Sequence, residues 1–257
     1  MYVVSISSLK GGVGKTTVCL GLASSALHRG IKTLVVDCDP QADASTGLGV
    51  SLGSCSITDV LEKPRKVTDA ICATSWAGAK TLDVLVGSPL SVNYDTPQLT
   101  VDQIWVLEEA LSIVETEYDL VLIDCNPSLG ALTRIAWAAS DKIAIVTEPG
   151  LFAISAVDRA LRAINDLRYG ISPRLQPLGI IVNRVYPKVS EHQFRLRELK
   201  DMFGVLALSP YLPERSTVQQ AQGACLPIHS WPNEHAEDFA KRFDQLLDKT
   251  LKGAPVG

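Results

Sequence analysis

No run in this 257-residue chain comes near the ~20 consecutive apolar residues that a membrane-crossing helix requires, and it does not open with the basic, apolar and small-residue succession of a secretory leader. Those two absences argue against a membrane-embedded or exported protein. The six cysteines, at 19, 38, 55, 72, 125 and 225, form no C-x-x-C pair. They read as reduced thiols filling small apolar positions in a cytoplasmic protein. A basic surplus is missing as well, because 24 Lys and Arg stand against 28 Asp and Glu for a formal charge of −4. That balance argues mildly against a broad nucleic-acid-binding face while leaving room for a local patch. With no internal repeat or low-complexity tract, and 46% apolar residues, the chain can form one large α/β domain over 1–257 with a sizeable core.

The most informative segment is Lys10-Gly11-Gly12-Val13-Gly14-Lys15-Thr16-Thr17. Glycines let a backbone curl so that several N–H groups face one anion. In G-x-x-x-x-G-K-[ST] loops the lysine, here Lys15, meets the β/γ-phosphates and the following hydroxyl, here Thr16, meets Mg²⁺. Such a loop works only between a strand and a helix. Residues 2–8 are β-branched and apolar enough for a buried parallel strand. Residues 15–28 carry Val18, Leu22, Ala26 and Leu27 near helical spacing, with Gly30 as the stop. Lys10 occupies the place where such a loop usually begins with glycine, and it is too close to Lys15 to duplicate that lysine's task within one chain.

Further strand-like runs fall at 32–37, 81–87, 119–123, 142–147 and 177–183, and helical patterns at 100–115, 128–139, 152–168 and 190–203. This alternation predicts a doubly wound, mostly parallel sheet with helices on both faces and a ligand beyond the carboxyl ends of the strands. Residues 53–80 are less regular, with one short helix near Thr58 to Leu61. A final helix near 233–251 sets Phe239, Phe243, Leu246, Leu247 and Leu251 on one stripe, and Gly253 and Pro255 end it. Its other face mixes Lys241, Arg242, Asp244, Asp248 and Lys249, without the cationic bias of a lipid-binding helix.

Two more motifs complete the pattern. Asp37-Cys38-Asp39-Pro40-Gln41 follows the second strand, and Leu120-Val121-Leu122-Ile123-Asp124 leads into Cys125-Asn126-Pro127-Ser128-Leu129-Gly130. On these three ordered motifs the chain resembles the ParA/MinD group of P-loop ATPases, whose deviant phosphate loop carries a signature lysine. Within it the chain is most similar to the Soj-like ParA partition ATPases. The resemblance implies ATP and Mg²⁺ as ligands, with the 10–17 loop around the phosphates and Thr17 on the α-phosphate. It implies Asp39 as the carboxylate that positions water, and Thr16, Asp37 and Asp124 at the metal or its shell. Asn183 and Pro213, at Ile180–Arg184 and Leu212–Arg215, resemble the segments that flank the base. Lys10 is expected to cross an ATP-dependent homodimer to the partner's phosphates, acting in trans as an arginine finger does; a lysine merely solvated beside the loop is the alternative.

The same resemblance implies nonspecific DNA binding, a nucleoid-associated cytoplasmic location, a ParB-like or other activating adaptor, and ATP hydrolysis that drives partition or positioning of cargo. Residues 181–215 hold six Lys and Arg against four acids, and Arg195, Arg197 and Lys200 are the candidate DNA contacts. The i,i+4 spacings Glu191/Arg195 and Arg197/Asp201 equally suit a solvated helix face. A membrane-cycling MinD-like ATPase is the other reading. Two departures from the family pattern stand out: Asn126 in place of the first proline of D-x-P-P, and Asp43 in place of the usual asparagine.

Overall fold

The computed structural model describes residues 1–76, 80–96 and 99–252, so the expected stop at Gly253 and Pro255 lies outside the described residues. In chain order, β1 (Tyr2–Ser7), α1 (Lys15–His28), β2 (Thr33–Asp37) and α2 (Asp43–Gly47) precede the irregular stretch. There α3 (Ile57–Glu62), α4 (Val67–Ala70), β3 (Ile71–Ala73) and β4 (Leu82–Leu85) follow, then a 3₁₀ segment, Pro89–Tyr94. The chain continues through α5 (Val101–Ile113), β5 (Leu120–Asp124), α6 (Ala131–Ala138), β6 (Lys142–Thr147), α7 (Ala153–Gly170) and β7 (Gln176–Val182). It closes with α8 (Ser190–Phe203), α9 (Ser216–Gly223) and α10 (Glu234–Leu251).

The strands form one seven-stranded sheet in the order β3-β4-β2-β5-β1-β6-β7. Every pairing is parallel except β3 with β4. The expected doubly wound α/β architecture is therefore what the chain adopts. β1, β2 and β5 are buried along their whole length, which their apolar, β-branched sequences allow without the alternation of a half-exposed strand. Residues of β1 point alternately to two cores. Tyr2, Val4 and Ile6 pack with α1 and α10 on one face, and Val3 packs with Ile104 and Leu107 of α5 and Leu132 of α6 on the other.

The predicted stripe on the last helix is part of that first core. Phe239, Phe243, Leu246 and Leu247 are each at most 1% exposed, so its apolar face is consumed by the sheet and α1. β3 and α9 were not anticipated. β3 has only three residues, too few to show a period of two, and forms by extending the β4 edge in the antiparallel sense. α9 is rich in Gln and buries only Thr217, Val218 and Ala221. α6 begins three residues later than expected, because Ser128, Leu129 and Gly130 remain in the loop after β5.

Gly21 shows how closely α1 and α10 approach. A methyl group there would lie 2.1 Å from Phe243 Cζ. Helix propensity alone would make Gly21→Ala stabilising by about 1 kcal/mol, whereas overpacking a filled core costs about 1–3 kcal/mol. We expect urea denaturation to show net destabilisation, partly relieved by adding Phe243→Leu. A more stable single variant would mean that the helices are not in this contact.

Candidate functional site

The loops leaving the carboxyl ends of β1, β2, β5 and β7 meet where strand order reverses around β1, the position at which open α/β sheets bind ligands. The 8–14 loop is shaped by glycine and by its neighbours. Gly12 and Gly14 have φ of +79° and +87°, which side chains with a Cβ rarely adopt. Gly14 is needed for a second reason: a Cβ would lie 2.2 Å from Asn183 Nδ2. Val13 is buried and its carbonyl accepts a 2.9 Å bond from that same Nδ2. The Ser8 hydroxyl donates to the Lys10 carbonyl and accepts from the Lys10 N–H, closing the start of the loop. α1 then begins with no side-chain cap and no acidic residue in its first turn. Its leading N–H groups and positive dipole end are thus directed at the cleft, the arrangement that favours an anion.

Lys15, the first residue of α1, is 6% exposed, and its ammonium donates to Asp124 Oδ1 at 2.8 Å and to Asp39 Oδ2 at 3.2 Å. Thr16 Oγ1 donates to Asp124 Oδ2 at 2.7 Å. Parallel pairing makes this convergence possible: β5 lies between β1 and β2, and Asp37 and Asp124 are register partners. Burial alone would lower the lysine's pKa, but the charges of Asp124 and Asp39 override it and hold Lys15 protonated. Burial raises the Asp124 carboxyl, with Lys15 opposing that shift.

Asp37, expected at the metal shell, is bonded within the segment that follows β2. Its Oδ2 accepts from the Ser45 N–H and hydroxyl, both at 2.8 Å, and its Oδ1 from the Asp39 N–H at 3.3 Å. Burial and the Asp124 charge push it up to about 7. Asp39 Oδ1 accepts from the Gln41 N–H at 3.0 Å, which fixes the turn that presents the carboxylate.

Lys10, Gly11, Gly12, Gly14, Lys15, Thr16, Thr17, Asp39 and Asp43 all border one cleft of about 430 Å³. Pro127, Arg184 and Gln222 complete its walls. Sequence reasoning missed Arg184 and Gln222 as lining residues. Gln222 accepts from Thr17 Oγ1 at 3.5 Å, and Arg184 pairs with Glu214 at 3.5 Å in a left-handed backbone conformation. Asn183, expected beside a base, spends its amide on bracing the 8–14 loop. Pro213 is buried and its strand segment bridges to Val185.

Lys10 is exposed and ion-pairs within its own chain with Glu148, from the loop after β6. Glu148 carried no sequence signal. Arg195 was expected in a basic patch, but Glu191 at 2.7 Å and Glu198 at 2.8 Å match its charge, and only 15% of its side chain is exposed. Arg197 is exposed, and its i,i+4 pair with Asp201 is not among the ion pairs of the described residues. Lys200 is exposed and donates to the Gly204 carbonyl at 3.1 Å. These α8 groups do not border the cleft.

A family model described as an AAA domain matches residues 1–176. The chromosome partitioning protein ParA of Caulobacter vibrioides is 30% identical over 236 residues, covering 89% of this chain and 86% of that protein. Among solved structures, an ATP complex of a Cyanothece McdA variant superposes with a TM-score of 0.85 at 19% identity, covering 100% of this chain and 99% of that one. A Mycobacterium smegmatis cobyrinic acid a,c-diamide synthase with bound ADP and magnesium gives 0.81 at 22% identity, covering 98% and 94%. At such identities the two structures speak for the fold alone.

Asp37 generates a test of the site's electrostatics. A carboxyl whose folded pKa is raised contributes stability that is complete below its unfolded pKa of roughly 4 and is lost as pH rises through about 7. In nucleotide-free protein, the melting temperature of the native sequence relative to Asp37→Asn should therefore fall between pH 5 and 8. A difference that is flat or rising across that window would mean that Asp37 is ionised throughout.

Proposed function

The chain belongs to the ParA/MinD group of P-loop ATPases, and from that premise we propose that it is an ATP-driven switch. In this reading it dimerises around ATP and Mg²⁺, binds DNA without sequence preference in that state, and hydrolyses ATP to drive partition or positioning of a chromosome, plasmid or protein cargo. The observation that carries the reading is the convergence of Lys15, Thr16, Asp39 and Asp124 at an uncapped helix N-terminus.

The residues fit both ligands. A phosphate chain suits the glycine turn, the α1 amides and Lys15. Mg²⁺ keeps several waters and takes few protein ligands beside phosphate oxygens. The Thr16 hydroxyl and Asp124 carboxylate match that need, and no group of three or more His, Cys, Asp or Glu among the described residues offers a closed cage. When bound, the ion would neutralise charge on the β- and γ-phosphate oxygens. Lys15 exchanges its carboxylate partners for phosphate oxygens, and Asp39 Oδ2, so released, accepts a hydrogen bond from the attacking water and orients it. Thr17 contacts the α-phosphate. Asn183 keeps Gly14 in place, and with Pro213 it would flank the base, beside the cleft wall that its neighbour Arg184 forms.

Lys10 completes the site across the dimer. Two polyanions facing each other in a partly desolvated interface repel unless a cation lies between them, and Lys10 reaches the partner's phosphates once it leaves Glu148. DNA contact falls to Arg197 and Lys200 rather than to the neutralised Arg195, and such phosphate contacts weaken steeply with salt. A ParB-like or other adaptor would stimulate turnover. No observation favours the membrane-cycling alternative: the apolar face of α10 is buried on α1, and no described helix is long and apolar enough to cross a membrane.

The experiment is a pair of variants followed by sedimentation, DNA retention and single-turnover hydrolysis. Lys15→Ala should lose ATP binding. Lys10→Ala should keep ADP binding, yet lose ATP-dependent dimerisation and DNA retention, with turnover reduced roughly 1,000-fold, the scale of a cation supplied in trans. Mixing the two should restore some hydrolysis, because the nucleotide of a Lys10→Ala subunit then faces an intact Lys10. Demonstrated heterodimers that remain inactive would contradict the trans role, and tight ATP binding by Lys15→Ala would contradict the phosphate site.

A further inference from the structure

Asn126 stands one residue before Pro127 in the loop that carries Asp124 from β5 to α6, and its side chain has a specific partner. Its Nδ2 donates to Asp95 Oδ2 at 3.1 Å. A carboxylate can only accept here, so the orientation of the amide is dictated. The other oxygen, Asp95 Oδ1, accepts from the Leu132 N–H at 3.3 Å in the first turn of α6. One carboxylate thus ties both ends of the 126–132 segment together, capping α6 from outside its own sequence. The approach is close: a Cβ on Gly130 would lie 1.8 Å from Asp95 Oδ1. The Asn126 carbonyl is held as well, accepting from the Ser128 N–H at 2.8 Å and from Thr133 Oγ1 at 3.0 Å.

Asp95 ends a strap that begins at the other acidic loop. Gly87, just after β4, donates its N–H to Ser45 Oγ at 2.9 Å, and Ser45 is the residue that holds Asp37. A side chain at Gly87 would meet Asp37 Cγ at 2.7 Å. Between these ends, Tyr94 donates its hydroxyl to Glu62 at 2.8 Å, pinning the strap to α3. The 87–95 segment therefore touches Ser45 of α2, beside the end of β2, at one end and the loop after β5 at the other. Pro127, adjacent to the gripped Asn126, forms part of the cleft wall.

We propose that Asp95 is a positioning residue for the phosphate-side loop, supplying through Asn126 the rigidity that a proline at 126 would otherwise impose. The proposal rests on the reading of this chain as an ATPase. A proline fixes φ and removes one N–H. Asn126 N–H donates to no partner among the described residues, so a proline there forfeits no hydrogen bond of the backbone. Asp95 and Asn126 together hold by charge-assisted bonding what a ring would hold covalently. The consequence is that the two devices are interchangeable, which a merely structural carboxylate would not be.

The test uses the full chain and four sequences: native, Asp95→Ala, Asn126→Pro and the double variant. In nucleotide-free protein, hydrogen exchange of the 125–131 amides should quicken about 10-fold in Asp95→Ala and return to within about threefold of native in the double variant, while the Leu132 amide, whose acceptor is lost in both, stays fast in both. With Mg²⁺ and ATP, kcat should fall about 10-fold in Asp95→Ala while KM stays within about twofold. The double variant should recover most of the lost kcat, and Asn126→Pro alone should stay near native. Unchanged exchange in folded Asp95→Ala overturns the clasp. Faster exchange with unchanged kcat, or a folded double variant that regains neither quantity, overturns the positioning role. A native chain that hydrolyses no ATP removes the ATPase reading instead, and the exchange measurements still decide whether Asp95 holds the loop.

Discussion

An ammonium group shielded from water has to be matched by charge, and at Lys15 that requirement organises the elements around it. The lysine opens α1 and so is fixed by β1 and its glycine turn, yet its partners come from the ends of β2 and β5. Only a parallel sheet with β5 between β1 and β2 brings those three strand ends together. Two carboxylates, Asp39 and Asp124, then meet one buried ammonium, and a third, Asp37, lies buried beside Asp124. The surplus negative charge is relieved at Asp37, which takes a proton near neutrality and is held by Ser45. Fold and chemistry are linked here by electrostatics, since a charge left unmatched at this depth would cost several kcal/mol.

The contacts in the cleft are of a kind that a polyanion can exchange. Lys15 rests on two carboxylates, Thr16 rests on Asp124, and Lys10 rests on Glu148. Each cation or hydroxyl thus has a partner within the chain that competes with phosphate or metal, so ligand affinity is a difference between two sets of bonds rather than the sum of one. Lys10 differs from Lys15 in being exposed, and an exposed ion pair contributes little. In the proposed dimer its release to a second subunit would be correspondingly cheap, whereas the buried Lys15 needs an anion of at least equal charge density. Asp95 adds a restraint of another sort, acting on loop shape rather than on ligand charge.

Much of this was legible in the order of residues because its causes are local. The 10–17 loop shows in its glycines and lysines, and the buried strands show in unbroken β-branched runs such as Leu120–Asp124. The amphipathic stripe of α10 follows from helical spacing. What escaped notice depends on pairing across the fold. Glu148, Asp95 and Gln222 are unremarkable in sequence and acquire meaning only when Lys10, Asn126 and Thr17 arrive beside them. Asn183 was legible as an amide at a strand end, whereas its bond to the Val13 carbonyl beneath Gly14 was not. For Arg195 the Glu191 partner was legible at i−4, but Glu198 at i+3 was not, and both carboxylates reach it. β3 is the same lesson in backbone form: three residues become a strand because β4 offers an unpaired edge.

The central claim is that the carboxylates holding Lys15 and Thr16 stand where phosphate and metal will compete for them. A crystal structure of the chain with a slowly hydrolysed ATP analogue and Mg²⁺ tests it most directly. The account predicts Lys15 Nζ within hydrogen-bond distance of the β- and γ-phosphate oxygens and no longer bonded to Asp39. It also predicts the Thr16 hydroxyl turned from Asp124 to the ion, with Asp39 facing the γ-phosphate. Nucleotide bound at another site, or bound here with Lys15 still bridging Asp39 and Asp124, would contradict it.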